Sequence, residues 1–166
     1  MRLRNGEHGY GLVTKTLHWV TVLAVAAQFT VGYLMDDDSG RGRGRGRGEA
    51  SGHGRGRGGD DDPDLLWVHV ALGLTILALA LLRVLWRRTA LPPWASQLTA
   101  GDRRFLHATE VALLTTLFVV PLTGLALVLG DDDLLALHVA AHVAFFAALA
   151  AHLTIVLRRR LLPRML

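Results

Sequence analysis

The stretch LLALHVAAHVAFFAALAAHLTIVL, residues 134–157, decides the fold. It lies between Asp131, Asp132 and Asp133 on one side and Arg158, Arg159 and Arg160 on the other, with no Asp, Glu, Lys or Arg inside. A hydrocarbon layer of about 30 Å is crossed by roughly 20 apolar residues in a helix, the form that satisfies its own backbone groups without water. Three histidines interrupt the apolar run: His138, His142 and His152. At 100° and 1.5 Å per residue, His138 and His152 point within about 40° of each other and sit about 21 Å apart along the axis. One helix face therefore carries imidazoles at two depths.

Three further apolar blocks of spanning length precede it, at residues 16–35, 65–86 and 105–130, the third with Pro121 and Gly124 inside. Internal Pro and Gly are commoner in membrane spans than in soluble helices. The expected architecture is all-α, a single-domain integral membrane four-helix bundle running up-down-up-down. The first block is longer than a secretory h-region and is expected to be a retained span.

Basic residues in short loops set orientation. Arg87, Arg88, Arg103 and Arg104 lie between blocks two and three, Arg158, Arg159, Arg160 and Arg164 follow block four, and Arg2, Arg4 and Lys15 lead block one. The connection between blocks three and four is acidic. Both termini are thus expected to be cytoplasmic. The connection at 36–64 contains GRGRGRGRGEASGHGRGRGG, and its six Arg are set against eight Asp and Glu, net −2. It is expected to be a disordered loop outside the membrane; an Arg-Gly tract also suits RNA phosphates, but an exported loop would not meet RNA, so no nucleic-acid partner is expected. Trp19, Trp67, Trp86 and Trp94 fall near the predicted interfaces, as belt residues do.

The chain has 166 residues and a mean hydropathy of +0.34. It has no Cys, which excludes disulfides, thiolate zinc sites, cysteine-held iron–sulfur clusters and covalently attached haem. Histidine is left as the obvious ligand type, and intramembrane histidines default to functional candidates. His69 follows Asp64 by five residues, and His138 follows Asp133 by five, placing both just below the outer surface. His18 follows Lys15 by three residues and His152 precedes Arg158 by six, placing both near the inner surface. Structural zinc gathers its ligands at one point, whereas two levels about 20 Å apart suit two porphyrins, each with two axial imidazoles, stacked in a bundle interior. His142, one turn from His138, either replaces it as ligand or hydrogen-bonds a haem propionate. His107 is a further candidate at the inner start of block three. Arg83 either neutralises a propionate or snorkels to the headgroups. His8 and His53 lie in soluble segments.

Taken together, LHW at 17–19, HVALG at 69–73, LRVLWR at 82–87, PLTG at 121–124, the His138–His152 spacing and the closing LLPRML give a chain that resembles the bacterial cytochrome b561 family. The resemblance implies a four-span cytochrome with two haem b groups, the inner held by His18 and His152 and the outer by His69 and His138. It also implies the bacterial inner membrane and ubiquinone or menaquinone as substrate. Val139 stands where that family commonly has Glu, and Val111 where it has Tyr.

The function expected is electron transfer between membrane quinone and an outer-surface partner, with superoxide oxidation coupled to quinone reduction as the concrete form. A haem anchor subunit of a dehydrogenase or hydrogenase, with a protein partner, is the second reading. A haem-free membrane scaffold or transporter is the third.

Overall fold

The computed structural model describes residues 10–43, 63–87 and 98–164. His8, His53, Trp94 and residues 44–62 of the Arg-Gly connection lie outside the described residues. Four long helices make up the fold: α1 (Leu12–Arg43), α2 (Pro63–Arg87), α3 (Ala100–Val128) and α4 (Leu135–Arg158), with single 3₁₀ turns at Asp132–Leu134 and Leu162–Arg164. The described residues contain no strand. All four helices are long and apolar enough to cross a membrane.

The boundaries depart from hydropathy where local chemistry takes over. Helix α1 continues through Arg43, into the stretch expected as loop from residue 36, because extending a formed helix costs far less than nucleating one. Helix α3 begins five residues before its apolar block. Thr99 caps it, its hydroxyl accepting from the Asp102 N–H at 3.2 Å, and an acidic residue in the first turn suits the helix dipole. At its other end Gly130 takes φ +96°; the Gly130 N–H donates to Leu127 and the Asp131 N–H to Ala126, both at 3.1 Å, a Schellman stop. Helix α4 ends the same way, with Arg160 at φ 51° and N–H donations from Arg160 to Leu157 and Leu161 to Val156.

Sequential helices pack antiparallel, α1 on α2, α2 on α3 and α3 on α4. The Trp86 Nε1–H donates to Thr14 Oγ1 at 3.0 Å, so this tryptophan ties α2 to α1 instead of only lining the interface. Phe29 joins α1 to α4 through ring contacts with Phe145 and Phe146 at 5.6 and 4.7 Å. The core is small and central: Ile76, Ala80, Leu117 and Phe145. A second cluster, Leu106, Ile155 and Leu161, closes the end that carries the termini. Large apolar side chains such as Leu23, Val143 and Leu157 face outward, as expected where lipid is the solvent. The buried polar residues Thr21, Thr109, Thr116 and Thr123 each return the hydroxyl proton to a carbonyl of their own helix.

Candidate functional site

Two groups of histidines occupy the bundle interior, one on each side of the central core. On the side of the termini, His18 of α1 and His152 of α4 lie within electrostatic reach of each other and of Arg83 of α2. On the side of the α3–α4 turn, His69 of α2 and His138 of α4 lie within such reach of each other and of His142. All five rings and Arg83 are half-buried. His107 is exposed on α3; it sits two residues, about 200°, from Thr109, which faces His152. The structure therefore brings together His18, His152 and Arg83, and separately His69, His138 and His142, and leaves His107 on an outer face.

The turn-side group borders a cavity of about 640 Å³, shared with Gln28, Phe29, Gly32 and Tyr33 of α1. That is within the range of ligand-binding clefts. Two glycines, Gly32 in the cavity wall and Gly124 on α3, make room for the rings. A Cβ at Gly124 would lie 3.0 Å from His138 Cε1, and one at Gly32 would lie 3.4 Å from His69 Cε1. The carboxamide of Gln28 meets His69 Nε2 at 2.9 Å. His69 Nδ1, His18 Nδ1 and Gln28 Oε1 are buried without a hydrogen-bond partner among the described residues. Such orphaned atoms mark interior sites open to a further polar or metal partner.

Helix α3 supports α4 in a strict register. Arg159 pairs with Asp102 at 2.6 Å, His152 Nδ1 meets Thr109 Oγ1 at 3.4 Å, and His138 Nδ1 meets Thr123 Oγ1 at 2.8 Å. Steps of seven and fourteen residues up α3 match equal steps down α4. The rung between is Thr116 with Phe145, which both line a small cavity of about 30 Å³ between the two histidine levels. A seven-residue repeat is the natural period of helices packed side by side. Hydropathy and histidine depth do not single out Gln28, Thr109, Thr123, Gly32 or Gly124. The threonines carried a readable signal, since Thr109, Thr116 and Thr123 recur at the period of His138, Phe145 and His152.

The residues present are of the donor type that haem b takes. Ring pairs stand at two separate levels, glycines cradle two of the rings, and Arg83 supplies a cation at one level. Among the described residues no three His, Cys, Asp or Glu gather as a compact metal site, so the arrangement is unlike a closed zinc site.

No curated protein and no solved structure matches the chain. The sequence model of the family described as prokaryotic cytochrome b561 matches residues 9–166, nearly the whole length, and the chain therefore belongs to the prokaryotic cytochrome b561 family.

Proposed function

We propose that the protein is a dihaem b-type cytochrome of the bacterial inner membrane that passes electrons between membrane quinone and a redox partner at the surface bearing the α3–α4 turn. In this reading both termini face the cytoplasm. His18 and His152 would hold one haem, and His69 and His138 the other. Haem b, when bound, supplies reversible one-electron chemistry, and two imidazoles per iron favour electron transfer over oxygen binding.

The observation that carries the reading is the division of the interior histidines into two groups, both drawing on α4 and separated by the apolar core. The chain's own residues prepare each level. Phe29 and Phe145 wall the space between levels with apolar rings. Arg83 provides a fixed cation beside His18 and His152, a site for a propionate carboxylate. The connection between α3 and α4 is confined to residues 129–134 and gives little docking area for a large subunit, which favours a small soluble donor. Superoxide is the concrete candidate: two superoxide anions yield two O₂ and two electrons, and these with two protons convert quinone to quinol.

Reduced-minus-oxidised spectra and haem extraction of the purified protein test this. Two haems per chain are expected, and His152→Ala is expected to keep one. Absence of a b-type α band, or loss of both haems in His152→Ala, would overturn the reading.

A further inference from the structure

We propose that Thr109 and Thr123 are positioning residues that fix the ring tautomers of His152 and His138, so that α3 sets the redox potential of each haem through its own threonine. The inference rests on the dihaem reading and adds a role for a helix that contributes no ligand to it.

A threonine hydroxyl has one proton to give and two lone pairs to accept with. Thr123 Oγ1 lies 2.8 Å from the Val119 carbonyl and 3.0 Å from that of Val120, and Thr109 Oγ1 lies 2.9 Å from the Leu106 carbonyl. Carbonyls only accept, so each hydroxyl proton is spent on its own helix. The remaining hydroxyl capacity is acceptance. The proposal therefore assigns the proton to the ring nitrogens facing them, His138 Nδ1 at 2.8 Å and His152 Nδ1 at 3.4 Å. A neutral imidazole with its proton on Nδ1 carries its lone pair on Nε2, the state required of a ligand.

The two contacts recur fourteen residues apart on both helices, so one face of α3 serves both levels. Thr116 occupies the same face midway; its hydroxyl donates to the Leu113 carbonyl at 2.9 Å and bonds no histidine among the described residues, although the small cavity it lines with Phe145 also borders His142. That makes it an internal control. A threonine used merely for close helix packing would matter equally at all three positions.

An acceptor on Nδ1–H makes the imidazole a stronger base and favours the more positive, oxidised iron. Removing it is expected to raise the potential of that haem. Spectroelectrochemical titration of the purified haem-loaded protein gives the readout, each haem being identified as the one lost in His138→Ala or His152→Ala. Thr123→Val is expected to shift the ferric-to-ferrous ratio of the His138 haem about tenfold, about 59 mV for one electron, and to leave the other haem in place. Thr109→Val should do the reverse. Thr123→Ser restores the acceptor and should restore the potential, and Thr116→Val should move neither haem. Selective loss of the His138 haem in Thr123→Val, with its retention in Thr123→Ser, supports the proposal as well. The proposal falls if Thr123→Val leaves the potential unchanged, if it moves both haems alike, or if Thr116→Val has the same effect. A wild-type protein without haem would instead overturn the dihaem reading itself.

Discussion

The two histidine levels share α4 and the threonine ladder of α3, yet they differ in what completes them. The level near the termini has a cation, Arg83, within electrostatic reach of His18 and His152. The level near the α3–α4 turn has no cation among its lining residues; it has Gln28, a third histidine and a roomy cavity with Gly32 in its wall. A common scaffold thus presents one electrostatically biased site and one shaped by space. The difference teaches that separate residues complete the two levels, so each can be disturbed alone.

The largest disturbance is expected from filling the cradle of the turn-side level. A side chain at Gly124 starts with its Cβ 3.0 Å from His138 Cε1, and the ring is held from behind by Thr123 at 2.8 Å. Interiors this tight do not absorb added atoms freely. Gly124→Val should weaken retention of the turn-side haem by about 10–100-fold, the scale of losing ligand orientation, while the other haem remains. Gly32→Ala, whose Cβ would sit at 3.4 Å from His69, should cost far less. Haem-to-protein ratios after detergent washing measure both. Equal loss of the two haems in Gly124→Val would mean that the levels are not independent.

A smaller effect is expected from removing the bias at the other level. The reduced iron carries one positive charge fewer than the oxidised iron, so a nearby guanidinium favours reduction. Arg83→Gln should therefore lower the potential of the terminal-side haem. For charges on the order of 10 Å apart at an effective dielectric near 20, the interaction is about 1–2 kcal/mol, some tens of millivolts for one electron. Potentiometric titration should show the turn-side haem unmoved. A matching shift at both levels would dissolve the contrast between them.

The spans were legible in the sequence because crossing lipid requires a run of apolar residues that no short motif imitates. Residues 135–158 of α4 differ by one position at each end from the block read by hydropathy. The ends of α3 were less legible to hydropathy, which does not register caps, although Thr99 followed by Asp102 is a helix-start signature. Grouping His18 with His152 and His69 with His138 needed only the rise per residue and the charged borders. The Arg83 placement beside the first group was one of two options open in the sequence. What escaped was lateral information. Nothing in α4 alone says which neighbour faces His138, so Thr123 and Thr109 emerge only once the register with α3 is known. His107 was a candidate from its place at a helix start, and only the packed bundle puts it on the exposed side.

The smallest effect is expected at His142, and it tests which α4 ring serves the turn-side level. Its Nδ1–H donates to the His138 carbonyl at 2.8 Å, within its own helix, and its ring stands edge-on to Phe29 at 5.5 Å. The His138 ring, 4.5 Å away, is instead tied across the helix interface to Thr123. A ring anchored by a second helix keeps its orientation when its surroundings change, whereas a back-bonded ring moves with its own side chain. His142→Ala should therefore leave two haems per chain and alter the turn-side potential by less than about 30 mV, under threefold in the ferric-to-ferrous ratio. His138→Ala should remove that haem outright. If the two variants exchange these outcomes, His142 is the ligand and the anchoring threonine orients its neighbour. The turn-side level would then be built on the rung of α4 that α3 does not hold.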